Sequence, residues 1–123
     1  MPTQTTFSCF TLEERNDIYV VTINQEKLVD DPWITNFGFE LKQLVSNPKV
    51  MKVVINCPQT TFINSAGLGH LLTLHKKLQQ RGHALRFVCV DSGLFQLLQH
   101  VRLFREKAFK WLPDLTTAIS SFQ

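Results

Sequence analysis

A chain of 123 residues with 44% hydrophobic and 19% charged side chains has the makeup of one small soluble globule, and residues 1–123 are expected to form a single domain. Thirteen Lys and Arg leave a net charge of only +3, and the densest basic stretch, Lys76-Lys77 to Arg81, is broken by Leu78 and two glutamines, so it reads as a solvated helix face rather than a nucleic-acid footprint. The first residues, Met1 to Thr6, lack the pattern of a signal peptide and no apolar run nears the length of a membrane span, so a cytoplasmic location without membrane insertion is expected.

In chain order, Phe7 to Glu13 forms a mixed apolar and polar first strand that ends at a turn, Arg15-Asn16-Asp17. Ile18 to Ile23 follows at once, β-branched on both faces, and should pair with it as an antiparallel hairpin. Asp30-Asp31-Pro32 offers two possible caps and a proline suited to a helix start. Apolar residues then recur at Ile34, Phe37, Leu41, Leu44 and Val45, a helical spacing that Pro48 stops. Trp33 and Phe39 fall off this stripe; they either cover a neighbouring loop or face a partner. Val50 to Cys57 is a second two-sided strand, and a long helix runs from the motif after it to about Gln80, with Leu68, Leu71, Leu72, His75 and Leu78 on one side and Gly82 past its end. Leu85 to Val90 is a third buried strand. Asp91 or Ser92 then caps a helix with the stripe Leu94, Leu97, Leu98 and Val101. A short segment from Ala108 to Leu112 precedes a last helix from Pro113, with Leu115, Ala118, Ile119 and Phe122 inward.

Strands alternating with helices imply parallel βαβ units, so the fold class is α/β: a small mixed sheet of about four to five strands, with an antiparallel N-terminal hairpin and about four helices. In such a sheet, functional loops lie at the carboxyl ends of the strands. The loop after Cys57 draws attention because Gly67 and Gly69 fall inside the first turns of a helix, where each costs roughly 1 kcal/mol against alanine. Either a partner's backbone must come close there, or the helix start packs tightly on its own fold. Asn64 or Ser65 can cap the helix through an orphan N–H. A phosphate on Ser65 would meet the positive helix end, be tolerated by the fold, and place nearly two negative charges on a neutral surface.

Other constellations carry little. The serine lacks the preceding glycine of a nucleophile elbow, and there is no Walker A or GxGxxG motif, so no cofactor is expected. His70 and His75 are five apart and do not share a helix face as zinc ligands would; His83 and His100 suit a turn and a helix end. Cys9, Cys57 and Cys89 form no CxxC pair and lie in apolar runs, as buried reduced thiols do. No catalytic set is present, and the chain reads as a non-enzyme.

The stretch Val53-Val54-Ile55-Asn56, followed by Phe62-Ile63-Asn64-Ser65-Ala66-Gly67-Leu68-Gly69, resembles the signature of STAS domains, the sulphate-transporter and anti-sigma-factor-antagonist family. In that family an apolar strand leads to a D-S-A-G-L-G-type motif at a helix start. The likeness continues through Leu71-Leu72, Arg81-Gly82, Leu85-Arg86-Phe87-Val88 and Leu97-Leu98, and spans Ile18 to Phe122. Stand-alone domains of this type are similar to anti-sigma factor antagonists, whose motif serine is phosphorylated by an anti-sigma factor that is also a serine kinase of the histidine-kinase-like ATPase class. A phosphatase reverses the modification, and the unphosphorylated form binds the kinase and frees the sigma factor. The resemblance implies that Ser65 is the phosphoacceptor and that Asn64, Ser65, Ala66, Gly67, Leu68 and Gly69 form the partner surface.

Two departures bear on the partner. Asn64 stands where the family usually has aspartate, and Gln25 to Asp30 replaces a Gly-Glu-Leu-Asp-like stretch, with Asp30 as the candidate for its acidic residue and a further partner contact. The alternative reading is a constitutive STAS subunit of a larger complex, such as a stressosome-like scaffold or a lipid-transport ABC assembly, that is never phosphorylated. A small-ligand domain is a third class, without a phosphate-cradling loop to support it.

Overall fold

A computed structural model describes residues 4–82, 85–89, 91, 93–94, 96, 110–112 and 114–122. Its main sheet has six strands in the order β1-β2-β3-β5-β7-β8: β1 Gln4–Thr6, β2 Thr11–Arg15, β3 Ile18–Thr22, β5 Lys52–Cys57, β7 Leu85–Cys89 and β8 Lys110–Leu112. The first three run antiparallel, and β3, β5, β7 and β8 are parallel. The mixed α/β architecture is therefore as expected, with β1 as an additional edge strand. Two short strands, β4 Lys27–Leu28 and β6 Phe62–Ile63, form a separate parallel pair.

The β2–β3 hairpin closes through Asn16 and Asp17, both with positive φ (50° and 71°). That is the primed turn whose twist matches the strands, and Asn and Asp tolerate it better than most residues. The strand before it is displaced from the sequence expectation, starting at Thr11 rather than Phe7. Phe7 to Phe10 instead makes a tight reversal, with the Phe7 N–H on the Phe10 carbonyl and the two rings stacked at 4.7 Å. Its apolar residues seal the core edge instead of alternating across a sheet.

Alternation along the central strands sends two sets of side chains to opposite faces. Val53, Ile55 and Cys57 of β5 and Leu85, Phe87 and Cys89 of β7 join the larger core beneath helices α1 (Asp31–Val45) and α2 (Ser65–Gln80). Ile18, Val20, Val54 and Val88 face the other way, covered by a last helix, α3 (Leu115–Ser120), through Leu115, Ala118 and Ile119, and by Phe122 just beyond its end. Arg86 ties this second layer down: its Nε donates to Ser121 Oγ at 2.7 Å and its guanidinium lies 4.3 Å from the Phe122 ring centroid. All three cysteines are buried and free, and burial pushes the Cys57 thiol up to about 12.

The α1 stripe is the one the spacing predicts, with Gly38 and Glu40 buried as well. Trp33 is half-buried and stacks on Phe37 at 5.0 Å, so it belongs to the core edge; Phe39 is 60% exposed. On α2 the stripe is rotated from the expectation. Leu74 is buried beside Leu71, His75 and Leu78, whereas Leu68 and Leu72 are only partly covered. The reason is that α2 packs on α1 as well as on the sheet. Gly82, at φ +80°, ends it as expected. The last helix starts two residues later than predicted, at Leu115, capped by Asp114 rather than led by Pro113. In the predicted helix after β7, Asp91 accepts the Leu94 N–H at 2.8 Å and Leu94 is buried; Leu97, Leu98 and Val101, like Pro113, His83 and His100, lie outside the described residues.

Candidate functional site

The segments leaving β3 and β5 at their carboxyl ends are stitched together before either reaches its helix. Thr60 Oγ1 donates to the Gln25 carbonyl at 2.7 Å, the Thr61 N–H donates to the Glu26 carbonyl at 2.7 Å, and the Asn64 N–H donates to the Leu28 carbonyl at 3.0 Å. Between these bonds Lys27 pairs with Phe62 and Leu28 with Ile63 in parallel register. Leu28 and Ile63 point inward and are fully covered. Parallel strands that each feed a helix put both helix N-termini at the same end. Asp30 and Ser65 occupy matching positions, each two residues beyond the Leu28–Ile63 pair.

The sequence left open which residue caps α2. Asn64 does so: its Oδ1 accepts the Gly67 N–H at 2.9 Å, and its carbonyl accepts the Leu68 N–H at 3.0 Å. Ser65 is the first helical residue and is exposed, with its hydroxyl outside the cap. Ala66 and Gly69 are exposed with it, Leu68 is half-buried, and Gly67 is buried. On α1, Asp30 has cap geometry and its carbonyl accepts the Ile34 N–H at 2.8 Å, but its carboxylate makes no capping bond and is exposed.

The two motif glycines divide between the two readings. A Cβ on Gly67 would stand 2.8 Å from Ile63 Cγ2 and 3.4 Å from Ile34 Cδ1, so this glycine lets α2 settle on its own fold. A Cβ on Gly69 would meet nothing within 4 Å. Internal packing explains the first and leaves the second as bare backbone on the surface that carries Ser65.

Two apolar side chains belong to this surface and were not singled out from sequence. Val29 and Phe62 are each 43% exposed, beside Asp30 and in register with Lys27 respectively. The signal available was alternation: Lys27 out, Leu28 in, Val29 out, and Phe62 out, Ile63 in. Runs that short do not rise above background. Among the described residues no group of three His, Cys, Asp or Glu is placed to hold a metal, and no described helix is long and apolar enough to cross a membrane.

Among the described residues, parallel strands with α1 and α2 on one face and α3 on the other, and a capped serine motif at the start of α2, define a STAS-type fold. The STAS domain family model matches residues 10–116, and the chain belongs to that family. No match was found among curated protein sequences. Among solved structures, a candidate anti-sigma factor antagonist from Thermotoga maritima superposes with a TM-score of 0.76 at 15% identity, over 93% of this chain and 94% of its own. An anti-sigma factor antagonist from Mycobacterium paratuberculosis gives 0.71 at 17% identity, over 98% and 93%. The Bacillus cell fate determinant SpoIIAA in its phosphorylated form gives 0.69 at 16% identity, over 93% and 99%. At such identities the likeness is one of fold.

Proposed function

We propose that this chain is a protein-binding regulator of the anti-sigma factor antagonist kind, switched by phosphorylation of Ser65. The observation that carries the reading is the division of labour at the start of α2: Asn64 holds the cap, and the Ser65 hydroxyl stands exposed beside it. A phosphate there would lie at a helix N-terminus, where the dipole and open N–H groups favour a dianion. The phosphorylated state of the similar Bacillus protein supports the same use of the fold.

In this reading Ser65, Ala66, Gly69, Val29 and Phe62 form the contact surface, Leu68 lies at its edge, and Asp30 adds a carboxylate from the neighbouring helix. Asn64 and Gly67 shape that surface from within. The partner is a serine kinase of the histidine-kinase-like ATPase class that doubles as an anti-sigma factor, with a phosphatase to reset the switch. Phosphorylation would force the partner to desolvate nearly two added negative charges near the Asp30 carboxylate, so binding falls without a change of fold. The chain acts as substrate and ligand, not as catalyst, and works in the cytoplasm.

Intact mass of the protein from its native host, with peptide mapping around Ser65, tests this. One phosphate on Ser65, absent in Ser65→Ala, is the expected result. No phosphate under any growth condition would leave the second reading, a constitutive STAS subunit of a larger complex. The neutral cap at Asn64, lacking an acidic residue beside the serine, is the observation that favours that reading.

A further inference from the structure

The two ends of the parallel sheet carry opposite charge. Beyond the carboxyl ends of the parallel strands, on the side of Ser65, stand Glu26, Asp30, Asp31, Asp91 and Asp114, and Lys27 is the one cation there among the described residues. At the opposite pole α2 ends, α1 turns into β5 and the β2–β3 hairpin reverses. Arg81, at the C-cap of α2, donates to the Asn47 and Val50 carbonyls, which holds the turn between α1 and β5 against the end of α2. Lys49 lies between those two carbonyls in sequence, so it stands beside the end of α2 that carries Lys76 and Lys77, and all three lysines are exposed. Lys52 is half-buried at the start of β5, and its register partner Ile18 is also the partner of Arg15. Met51, between Lys49 and Lys52, is 39% exposed.

The acids at this pole stay on the hairpin: Asp17 in its turn, Glu14 before it, and Glu13 in an ion pair with Arg15 at 2.6 Å. Among the described residues Lys49, Lys52, Lys76 and Lys77 make no ion pair. Lys77 complements the dipole of α2 from its last turn, but Lys49 and Lys52 belong to a turn and a strand and have no such duty. The sequence shows Lys76 and Lys77 as one helix face; the fold adds two cations and an exposed thioether from a different element.

We propose that this basic pole adsorbs to an anionic membrane surface, with the lysines over the lipid phosphates and Met51 at the headgroup level, and without insertion of any segment. The pole is built from helix C-termini, so it offers no N-terminal N–H groups to grip a discrete phosphate, and the guanidinium of Arg81 is occupied by carbonyls of its own chain. What is left is a set of lysine point charges, suited to a diffuse anionic surface rather than to the forked and stacked contacts of a nucleic acid. The sixteen residues of α2 place Ser65 about 24 Å from this pole. A protein adsorbed in this way keeps Ser65 turned to solvent, and the adsorption stands whether or not that serine is phosphorylated.

The test is co-sedimentation of the full chain with phosphatidylglycerol vesicles and with phosphatidylcholine vesicles at low salt. Binding to the anionic vesicles alone is expected, weakening as salt rises to about 0.15 M. Affinity should fall about fivefold for each lysine removed, and so about a hundredfold in Lys49→Gln/Lys76→Gln/Lys77→Gln, whose exposed substitutions leave the native circular dichroism in place. Lys27→Gln, at the other pole, should bind as the wild type does; a loss equal to that of Lys49→Gln would show attraction by net charge alone and overturn the assignment to this pole. Equal binding to phosphatidylcholine, no binding to either vesicle, or full binding by the triple variant overturns the proposal. Retention of a duplex oligonucleotide that the triple variant loses, without vesicle binding, would assign the pole to nucleic acid instead.

Discussion

Asn64 and Gly67 close the first turn of α2 on each other, side-chain oxygen to backbone amide at 2.9 Å, and Ser65 between them is excluded from the bond. Stability and signalling are thereby assigned to adjacent residues. Asn64→Ala should lose about 1 kcal/mol of unfolding free energy, the usual cost of a deleted cap. Ser65→Ala should change stability by less than about 0.5 kcal/mol, as exposed substitutions away from caps and cores do. Urea denaturation of both variants measures the difference. A larger loss from the serine variant would show that its hydroxyl, not the amide of Asn64, does the capping.

The two motif glycines should respond in opposite directions. Gly67→Ala pushes a methyl group into Ile63 and Ile34, both buried, and should cost about 1–3 kcal/mol as overpacking does. Gly69→Ala enters open space on a helix and should gain up to about 1 kcal/mol from propensity. If a partner's backbone comes close at that point, the stabilised Gly69→Ala protein should nevertheless carry less phosphate on Ser65 in its native host. Thermal unfolding checks the first pair of effects and peptide mapping the second; undiminished phosphate would remove the partner from Gly69.

How much of this was legible in the sequence follows from the length of each signal. The strands predicted from Ile18, Val50 and Leu85 and the α1 stripe from Ile34 to Val45 are long enough to show their period, and each is found, the second beginning two residues late at Lys52. β1, β4 and β6, of two or three residues, carry no period at all, and the last two exist because the chain segments leaving β3 and β5 bond to each other. That pairing aligns Asp30 with Ser65, a relation no local pattern encodes. Leu74 was missed for a related reason: a helix packed on both a sheet and another helix buries a wider arc than a single stripe. The serine motif was legible as a motif, but the separate duties of Gly67 and Gly69 depend on what stands opposite each Cβ.

Asp114 should make the last helix acid-sensitive. Its Oδ1 accepts the Thr117 N–H at 2.7 Å, and that bond holds its carboxyl below the usual value of about 3.9. A carboxyl depressed in the folded state stabilises that state fully above its unfolded value, and the contribution disappears as pH falls through the folded value. Asp114→Asn keeps an acceptor at the cap but does not titrate. The stability difference between wild type and Asp114→Asn should therefore stay constant from neutral pH to about pH 5 and shift against the wild type below about pH 4. Amide exchange of α3 across that range reads it, and a difference that stays flat to pH 2 would show the bond is too weak to couple to folding.

Arg81 fastens the end of one helix to the end of the other. From the C-cap of α2 its Nη2 donates to the Val45 carbonyl at 2.6 Å and its Nη1 to Val50 at 2.7 Å and Asn47 at 3.3 Å, which gathers the C-terminus of α1 and the entry to β5 around one cation. Hydrogen bonds from a charged donor contribute about 1.5–3 kcal/mol, and the positive charge also complements the negative end of α1. Arg81→Ala should therefore destabilise by about 2 kcal/mol, far more than a surface arginine without such partners. Arg81→Lys should recover only part of the loss, because a single ammonium cannot reach carbonyls on both sides of the turn as the planar fork does. Chemical denaturation of the two variants decides it. If Arg81→Ala unfolds within about 0.5 kcal/mol of the wild type, the α1 carbonyls are satisfied as well by water and the arginine is not what fixes this end of the helix pair.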